Sequence, residues 1–258
     1  MAAWLRSAAE MADVRVTIVL PTYNERDNVR VLVPAIEAAF ADVAHEVLVV
    51  DDASPDGTAA ATEGLAKEYP AVRLVLRRGR EGLGAALRDG YDRARGALIL
   101  SSDSDGTFSP ALMRRLYDAC TPDVDFVVGV REQPAAAWGA VPWRVVVQRF
   151  CSRVGNWGFQ RITGAPVRSF SVNFRIIRAA AWKRLDVRES SNAFLVEMIS
   201  AAARAGLRIR ELPVAFGDRL HGESKFRLSR EGPRFVRVAL RLAARRWVPA
   251  EGVRPPAG

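Results

Sequence analysis

The stretch VRVTIVLPTYNERDNVRVLVPAIEAAFADVAHEVLVVDDASPDG (14–57) carries the reading of the fold. It opens on a β-branched run, VRVTIVL (14–20), which reads as a buried strand ended by Pro21. Val29, Leu32, Val33, Ile36 and Phe40 then recur at helical spacing within 25–40. EVLVVD (46–51) is a second strand, and the turn residues DASPDG follow it. Strand, amphipathic helix and strand make a βαβ unit, whose two strands lie parallel in one sheet.

The same alternation continues outward. A helix fits 58–68, VRLVL (72–76) is a third strand, a helix fits 83–95, ALILSS (97–102) is a fourth strand and DFVVGV (125–130) a fifth. A mainly parallel sheet binds ligands beyond the carboxyl ends of its strands. The residues that follow each strand are PTYNE, DDASPDG, RRGREG, DSDG and Arg131, so polar chemistry collects where that rule places it. The second half is less regular. Residues 132–142 read as a loop, 143–162 as a helix, 170–177 as an extended piece, 193–205 as a helix and LRIRELPVAF (207–216) as an edge strand that tolerates Pro213.

Charge divides with position. The 258 residues sum to +9, but residues 1–130 carry 14 basic and 20 acidic side chains, and residues 131–258 carry 24 and 9. The halves are −6 and +15, which implies two electrostatic tasks. Two cysteines, Cys120 and Cys151, with two histidines and no CxxC, exclude a zinc module or a disulfide scaffold and fit a reducing compartment. No apolar run approaches the roughly 18–20 residues that span a bilayer. Residues 1–14 lack the apolar core of a signal peptide and read as a disordered leader.

Asp103-Ser104-Asp105 stands where the fourth strand stops. Two carboxylates at i and i+2 on a turn suit one hard divalent ion, Mg²⁺ or Mn²⁺, completed by water and substrate phosphates. The competing reading is a turn or cap before a helix over 110–120. Asp51-Asp52 with Ser54, Pro55, Asp56 and Gly57 is a second acidic strand end. Asp56 reads as a helix cap, and the Asp52 carboxylate is placed to accept N–H groups of a nucleotide base. Gly79, Gly82 and Gly84 run GxxGxG after the third strand, the wrong order and place for a dinucleotide site. GxxxxGK[ST] and GxSxG are both missing, which excludes a P-loop and a serine hydrolase elbow.

LPTYNERDNV (20–29), VVDDASPDGT (49–58), GLGAAL (82–87), DSDGTFSP (103–110), GVR (129–131) and FGDRLHGESKF (216–226) together resemble the family-2 glycosyltransferases. More narrowly they resemble the polyprenol (dolichol) phosphate mannose synthases. The likeness covers about residues 15–230 in order. It implies an α/β GT-A fold, Rossmann-like, with a mainly parallel central sheet flanked by helices and a C-terminal acceptor-side extension. Residues 15–130 would form the nucleotide-sugar half, 131–230 the acceptor half, and 231–258 a basic amphipathic helix and tail. The implied activity is inverting transfer of mannose from GDP-mannose to a polyprenyl phosphate, a hexosyltransferase reaction.

Carried onto this chain, the resemblance puts Pro21, Tyr23 and Glu25 at the nucleoside, and Val50 and Asp52 around the base. Asp103 and Asp105, with Thr107, would hold Mg²⁺ or Mn²⁺ on the donor diphosphate, with Ser104 beside the sugar nucleotide. Arg131, Arg219 and Lys225 would face phosphates. Asp105, Arg219 and Lys225 would carry catalysis. One more basic residue is expected from Arg144, Arg149 and Arg153; spacing leaves the three open, and Arg149 joins Arg131 and Ser224 as the acceptor-phosphate set. Neither His45 nor His221 offers a convincing general base. Two segments depart from the family pattern. Gly106-Thr107-Phe108-Ser109-Pro110 replaces a Leu-Gln/Ser-His-Pro-Pro run, and VRSFSVNFRIIR (167–178) has Ser169 for an acid and Val172-Asn173 for a Ser-Gly or Gly-Ser pair.

PRFVRVALRLAARRWV (233–248) reads as an amphipathic helix with Arg234, Arg237, Arg241 and Arg245 in one stripe and Phe235, Val238, Leu242 and Trp247 on an apolar side. Such a helix can lie on an anionic leaflet, and the expected location is cytoplasmic, peripheral to the inner face of the membrane. The alternatives are a UDP-sugar donor (glucose or GlcNAc) or a soluble acceptor. A nucleic-acid partner rests on basic charge alone and finds no supporting motif.

Overall fold

The computed structural model describes the backbone of residues 14–131, 143–215 and 228–246, and the side chains of 14–130, 153–215 and 231–244. The strands are β1 (Val16–Thr22), β2 (His45–Asp51), β3 (Val72–Leu76), β4 (Leu98–Ser102), β5 (Phe126–Arg131), β6 (Phe174–Arg178) and β7 (Ile209–Val214). The helices are α1 (Arg26–Ala39), α2 (Thr58–Glu68), α3 (Leu83–Arg93), α4 (Pro110–Asp118), α5 (Trp143–Thr163), α6 (Ala179–Trp182), α7 (Phe194–Arg204) and α8 (Leu228–Arg246). The sheet order is β3-β2-β1-β4-β6-β5-β7, so the strand expected at an edge, β7, does end the sheet. All neighbours pair parallel except β6, which runs antiparallel between β4 and β5.

Period-two alternation sorts the strand side chains onto two faces. Val16, Ile18 and Leu20 point into one apolar cluster with Val29, Leu32, Val33 and Ile36 of α1 and Met113 and Leu116 of α4. Val19, Leu48 and Val50 point the other way, into a cluster completed by α3, α7 and α8. Both faces are covered, so the strands are near-continuous apolar runs.

Two expectations need correction. Pro21 does not end β1; it pairs with Val50, and the strand continues to Thr22. The β1–β4 ladder stops at Val19 opposite Ser101. In a parallel strand the nitrogen and carbonyl of one residue point to the same neighbour, and the Pro21 carbonyl points toward Ser104. Its missing N–H therefore lies past the last β1–β4 pair and costs no ladder bond.

The C-terminal helix starts at Leu228, with Pro233 inside it, and its apolar side is already used. Val238 is 0% and Leu242 3% exposed in the core, and Phe235 packs on Phe159 of α5 with ring centroids 6.2 Å apart. Burying Val238 and Leu242 is worth roughly 1.5–3 kcal/mol each, so this side faces the domain. Trp247 lies outside the described residues, as do residues 1–13 of the leader.

Candidate active site

The carboxyl ends of β1, β2 and β4 are tied together before any ligand enters. Asp51 is fully buried and accepts from Thr22 Oγ1 at 2.9 Å, Ser54 N at 2.8 Å and Ser54 Oγ at 2.6 Å. Ser54 Oγ in turn accepts from Asn24 N. Asn24 and Ala53 both have positive φ, at 55° and 53°, a conformation that the surrounding bonds hold in place. Asp56 does more than cap one helix. Its Oδ2 accepts from Arg26 N at the start of α1, and its Oδ1 accepts from Thr58 N and Oγ1 at the start of α2. Desolvation opposes the charge of Asp56, but these bonds outweigh it and hold the carboxyl below its usual range.

The acidic turn after β4 is shaped by its neighbours. Ser104 Oγ donates to the Pro21 carbonyl at 3.0 Å, which joins two of the expected nucleotide-site residues. Asp105 is 6% exposed, and its Oδ1 accepts from Thr107 N at 3.0 Å. Gly106 takes φ 79°, and Phe108 stacks on Phe174 of β6 with centroids 4.2 Å apart, which anchors the turn. Ser109, followed by Pro110, caps α4 through its Oγ. The helix thus needs neither Asp103 nor Asp105 as its cap. Asp103 is half-buried and accepts from Asn173 Nδ2 at 3.0 Å.

The carboxyl end of β2, where the base was expected, is organised by a residue that sequence reasoning did not single out. Arg77 is 8% exposed and binds three carboxylates: Asp52, Glu81 at 2.8 Å and Asp89 at 2.8 Å. Asp52 is itself 6% exposed. Burial pushes the Asp52 carboxyl above its usual range, while Arg77 and the Gly82 N–H oppose that shift. Arg80 from the same loop lies over the Tyr23 ring, 4.2 Å from its centroid. Val50 is fully buried in the core, with its carbonyl accepting from Thr22 Oγ1. Glu25 Oε2 accepts from Asn28 Nδ2 at 2.6 Å. The strand-end rule pointed at RRGREG, but it could not separate Arg77 from the other arginines there.

The glycines of that loop have a packing role. A Cβ on Gly84 would lie 2.5 Å from Phe194 Cβ and 2.6 Å from the Glu189 carbonyl, and Gly82 has φ 110°. Ala85 N donates to the Ser190 carbonyl. The Gly-rich segment therefore seats α3 on the loop before α7, which fits the rejection of a dinucleotide site.

Arg131 ends β5, with its side chain undescribed. Arg144 and Arg149 lie on α5, also without described side chains, and Arg153 is exposed there. Arg219, His221, Ser224 and Lys225 lie outside the described residues. His45 begins β2, at the opposite end of the strand from Asp51, with Nδ1 2.8 Å from the Val43 carbonyl.

The glycosyl transferase family 2 profile matches residues 17–184 of this chain. The chain belongs to glycosyl transferase family 2. This family-2 glycosyltransferase is 32% identical to the undecaprenyl-phosphate mannosyltransferase of Micrococcus luteus, over 93% of this chain and 98% of that one. It is 31% identical to the polyprenol monophosphomannose synthase of Mycolicibacterium smegmatis, over 82% and 80%. In fold it is similar to glucosyl-3-phosphoglycerate synthase from Mycobacterium tuberculosis, solved with Mn²⁺, UDP-glucose and glycerol 3-phosphate. That likeness has a TM-score of 0.67 at 20% identity and covers 97% of this chain and 89% of that one.

Among the described residues no group of three or more His, Cys, Asp or Glu could hold an ion unaided. Asp103 and Asp105 offer only hard oxygen donors, at the carboxyl end of β4. That fits Mg²⁺ or Mn²⁺ completed by water and a diphosphate, since such ions use one or two carboxylates and not a full protein cage.

Proposed function

We propose that this chain transfers a mannosyl group from GDP-mannose to a polyprenyl phosphate at a membrane surface, with inversion at the anomeric carbon. The observation that carries the reading is the likeness, along 93% of the chain, to a relative named for a lipid-phosphate acceptor. The carboxylate pair at the end of β4 supports it. Pro21, Tyr23, Glu25 and Asp52 line the nucleoside and Ser104 lies beside the sugar nucleotide, whereas Val50, buried in the core, does not reach it. Asp103 and Asp105, with Thr107, would hold the divalent ion, which when bound would neutralise charge on the donor diphosphate.

Arg219 and Lys225 add positive charge at the leaving group. Arg131, Arg149 and Ser224 orient the acceptor phosphate. One oxygen of that phosphate attacks the anomeric carbon from the face opposite the nucleotide. The bond from that carbon to the diphosphate breaks, and the electron pair leaves with GDP. A phosphate monoester is already ionised near neutral pH, so no side chain has to remove a proton. The test is a panel of labelled GDP- and UDP-sugars with Mn²⁺ and a short polyprenyl phosphate. Label extracted into lipid from GDP-mannose alone is the expected result. Label from a UDP-sugar would replace the donor, and no lipid label from any donor would overturn the acceptor.

For membrane contact, the exposed apolar side chains single out one helix pair. No helix among the described residues is long and apolar enough to cross a membrane. Six large apolar side chains are exposed among the described residues, and four of them lie on the mutually packed α5 and α8: Val154, Trp157, Val236 and Leu240. Arg153, Arg161 and Arg237 lie beside them, with Arg161 5.2 Å from the Trp157 ring. Apolar side chains flanked by arginines suit an anionic leaflet. Trp157→Glu and Leu240→Glu should each weaken binding to phosphatidylglycerol vesicles about tenfold, from lost insertion of one side chain. Deleting α8 is the poorer test, since it strips Val238 and Leu242 from the core. Unchanged vesicle binding in both variants would remove this surface from the proposal.

A further inference from the structure

A side chain just ahead of β6, distant in sequence, holds the carboxylate that follows β4. Because β6 is antiparallel, its first residue Phe174 lies opposite Ser102, and Asn173 therefore reaches Asp103. Asn173 is 2% exposed. Its Nδ2 donates to Asp103 Oδ1 at 3.0 Å, and its Oδ1 accepts from Ser101 Oγ at 2.9 Å. Ser101 Oγ lies 2.7 Å from the Tyr91 hydroxyl. Ser101 and Tyr91 are both buried.

The ends of this chain set its direction. An ionised carboxylate only accepts, so the carboxamide turns its NH₂ to Asp103 and its oxygen to Ser101. Ser101 gives its single proton to that oxygen, and the Tyr91 hydroxyl therefore donates to Ser101. Burial raises the Tyr91 phenol above its ordinary range, against the opposing effects of Arg175 and Ser101, so it stays a neutral donor. Buried hydrogen bonds in series polarise and strengthen one another.

Arg175 braces the backbone that carries Asn173. It is fully buried, and its guanidinium donates to the Val172 and Leu195 carbonyls. Among the described residues no carboxylate lies within ion-pair distance of it. Burial lowers it to about 10, with Tyr91 and Asp103 favouring the charge, so it remains a cation at neutral pH. The family pattern has a Ser-Gly or Gly-Ser pair where this chain has Val172-Asn173.

We infer that Asn173 is a positioning residue, which fixes the Asp103 carboxylate in the orientation that meets the donor's divalent ion and diphosphate. This rests on the donor-site reading of Asp103 given above. Outer partners of metal-bound groups change metal affinity by about 10–100-fold when removed. The test is Mn²⁺ affinity in the presence of GDP, measured by electron paramagnetic resonance on the full chain. Thermal unfolding and separate KM values for donor and lipid phosphate accompany it.

Asn173→Ala should weaken Mn²⁺ affinity about tenfold or more and raise the donor KM, with the lipid-phosphate KM unchanged. Tyr91→Phe removes only the first donor and should weaken Mn²⁺ affinity a few-fold. Unchanged Mn²⁺ affinity in a folded Asn173→Ala, or an equal rise in both KM values, would overturn the inference. If Asn173→Ala does not fold, Tyr91→Phe decides on the same readouts. Asp103→Ala separates the two claims. If Asp103→Ala binds Mn²⁺ and GDP as the unaltered chain does, the donor-site reading falls; if it loses them while Asn173→Ala does not, only the positioning role falls.

Discussion

An Asp105→Ala variant is expected to lose about a thousandfold in transfer, the scale on which removing a preorganised charge-stabilising group acts. Its fold should be nearly intact. Asp105 accepts a backbone bond from Thr107, worth about 1 kcal/mol, but α4 is capped independently by Ser109 and the turn is anchored by Phe108 on Phe174. Loss of activity with a melting temperature within a few degrees of the unaltered chain would therefore report chemistry, not unfolding. Raising Mn²⁺ should recover part of the rate if Asp103 still holds the ion. Transfer at the unaltered rate in Mn²⁺-replete buffer would show that Asp105 is not a metal ligand, and the alternative of a simple turn residue would stand.

The second large effect is expected from Arg77→Ala. Arg77 is a buried cation shared by Asp52, Glu81 and Asp89. Breaking a buried ion pair by removing one partner costs about 3–5 kcal/mol, because the remaining charge is stranded. Asp52 is the group that would be stranded, since Glu81 and Asp89 are more exposed and regain water. For a chain of this length the melting temperature should fall by roughly 10 °C. The donor KM should rise, because the loop carrying Arg77 also sets Arg80 over Tyr23. Arg77→Ala with Asp52→Asn should recover much of the stability, since the neutral amide needs no cation. A double variant no more stable than Arg77→Ala would mean that the cost lies in the loop and not in the Asp52 charge.

The charge division of the chain has a second use beside the proposed phosphate binding. Several arginines of the basic half are spent on the acidic half. Arg208 and Arg178 hold Asp125, and Arg210 holds Asp123. Hydrogen bonding to Arg208 outweighs desolvation and keeps the Asp125 carboxyl at about 2. Arg241 of α8 approaches Glu189 and Glu197, carboxylates of its own half. Part of the +15 is therefore a latch between the two halves, which a count of charges cannot distinguish from a phosphate-binding surface.

The order of strands and helices through β5 was readable from residues 14–130 because apolar periodicity is a local property: a run such as VRLVL (72–76) states its own conformation. The placement of DDASPDG and DSDG at one edge of the sheet followed, because parallel strands put all their carboxyl ends on one side. Contacts between residues far apart in the chain were beyond such reading. Asn173 meets Asp103 only because β6 enters the sheet antiparallel, and nothing local in FRIIR announces its direction. Arg77 became the centre of three carboxylates through the meeting of β2, its own loop and α3. The two sides of α8 were visible as a pattern, but which apolar residues faced the core depended on where α5 and α7 lay. Periodicity records what each segment can bury, whereas register and packing choose the partner against which it is buried.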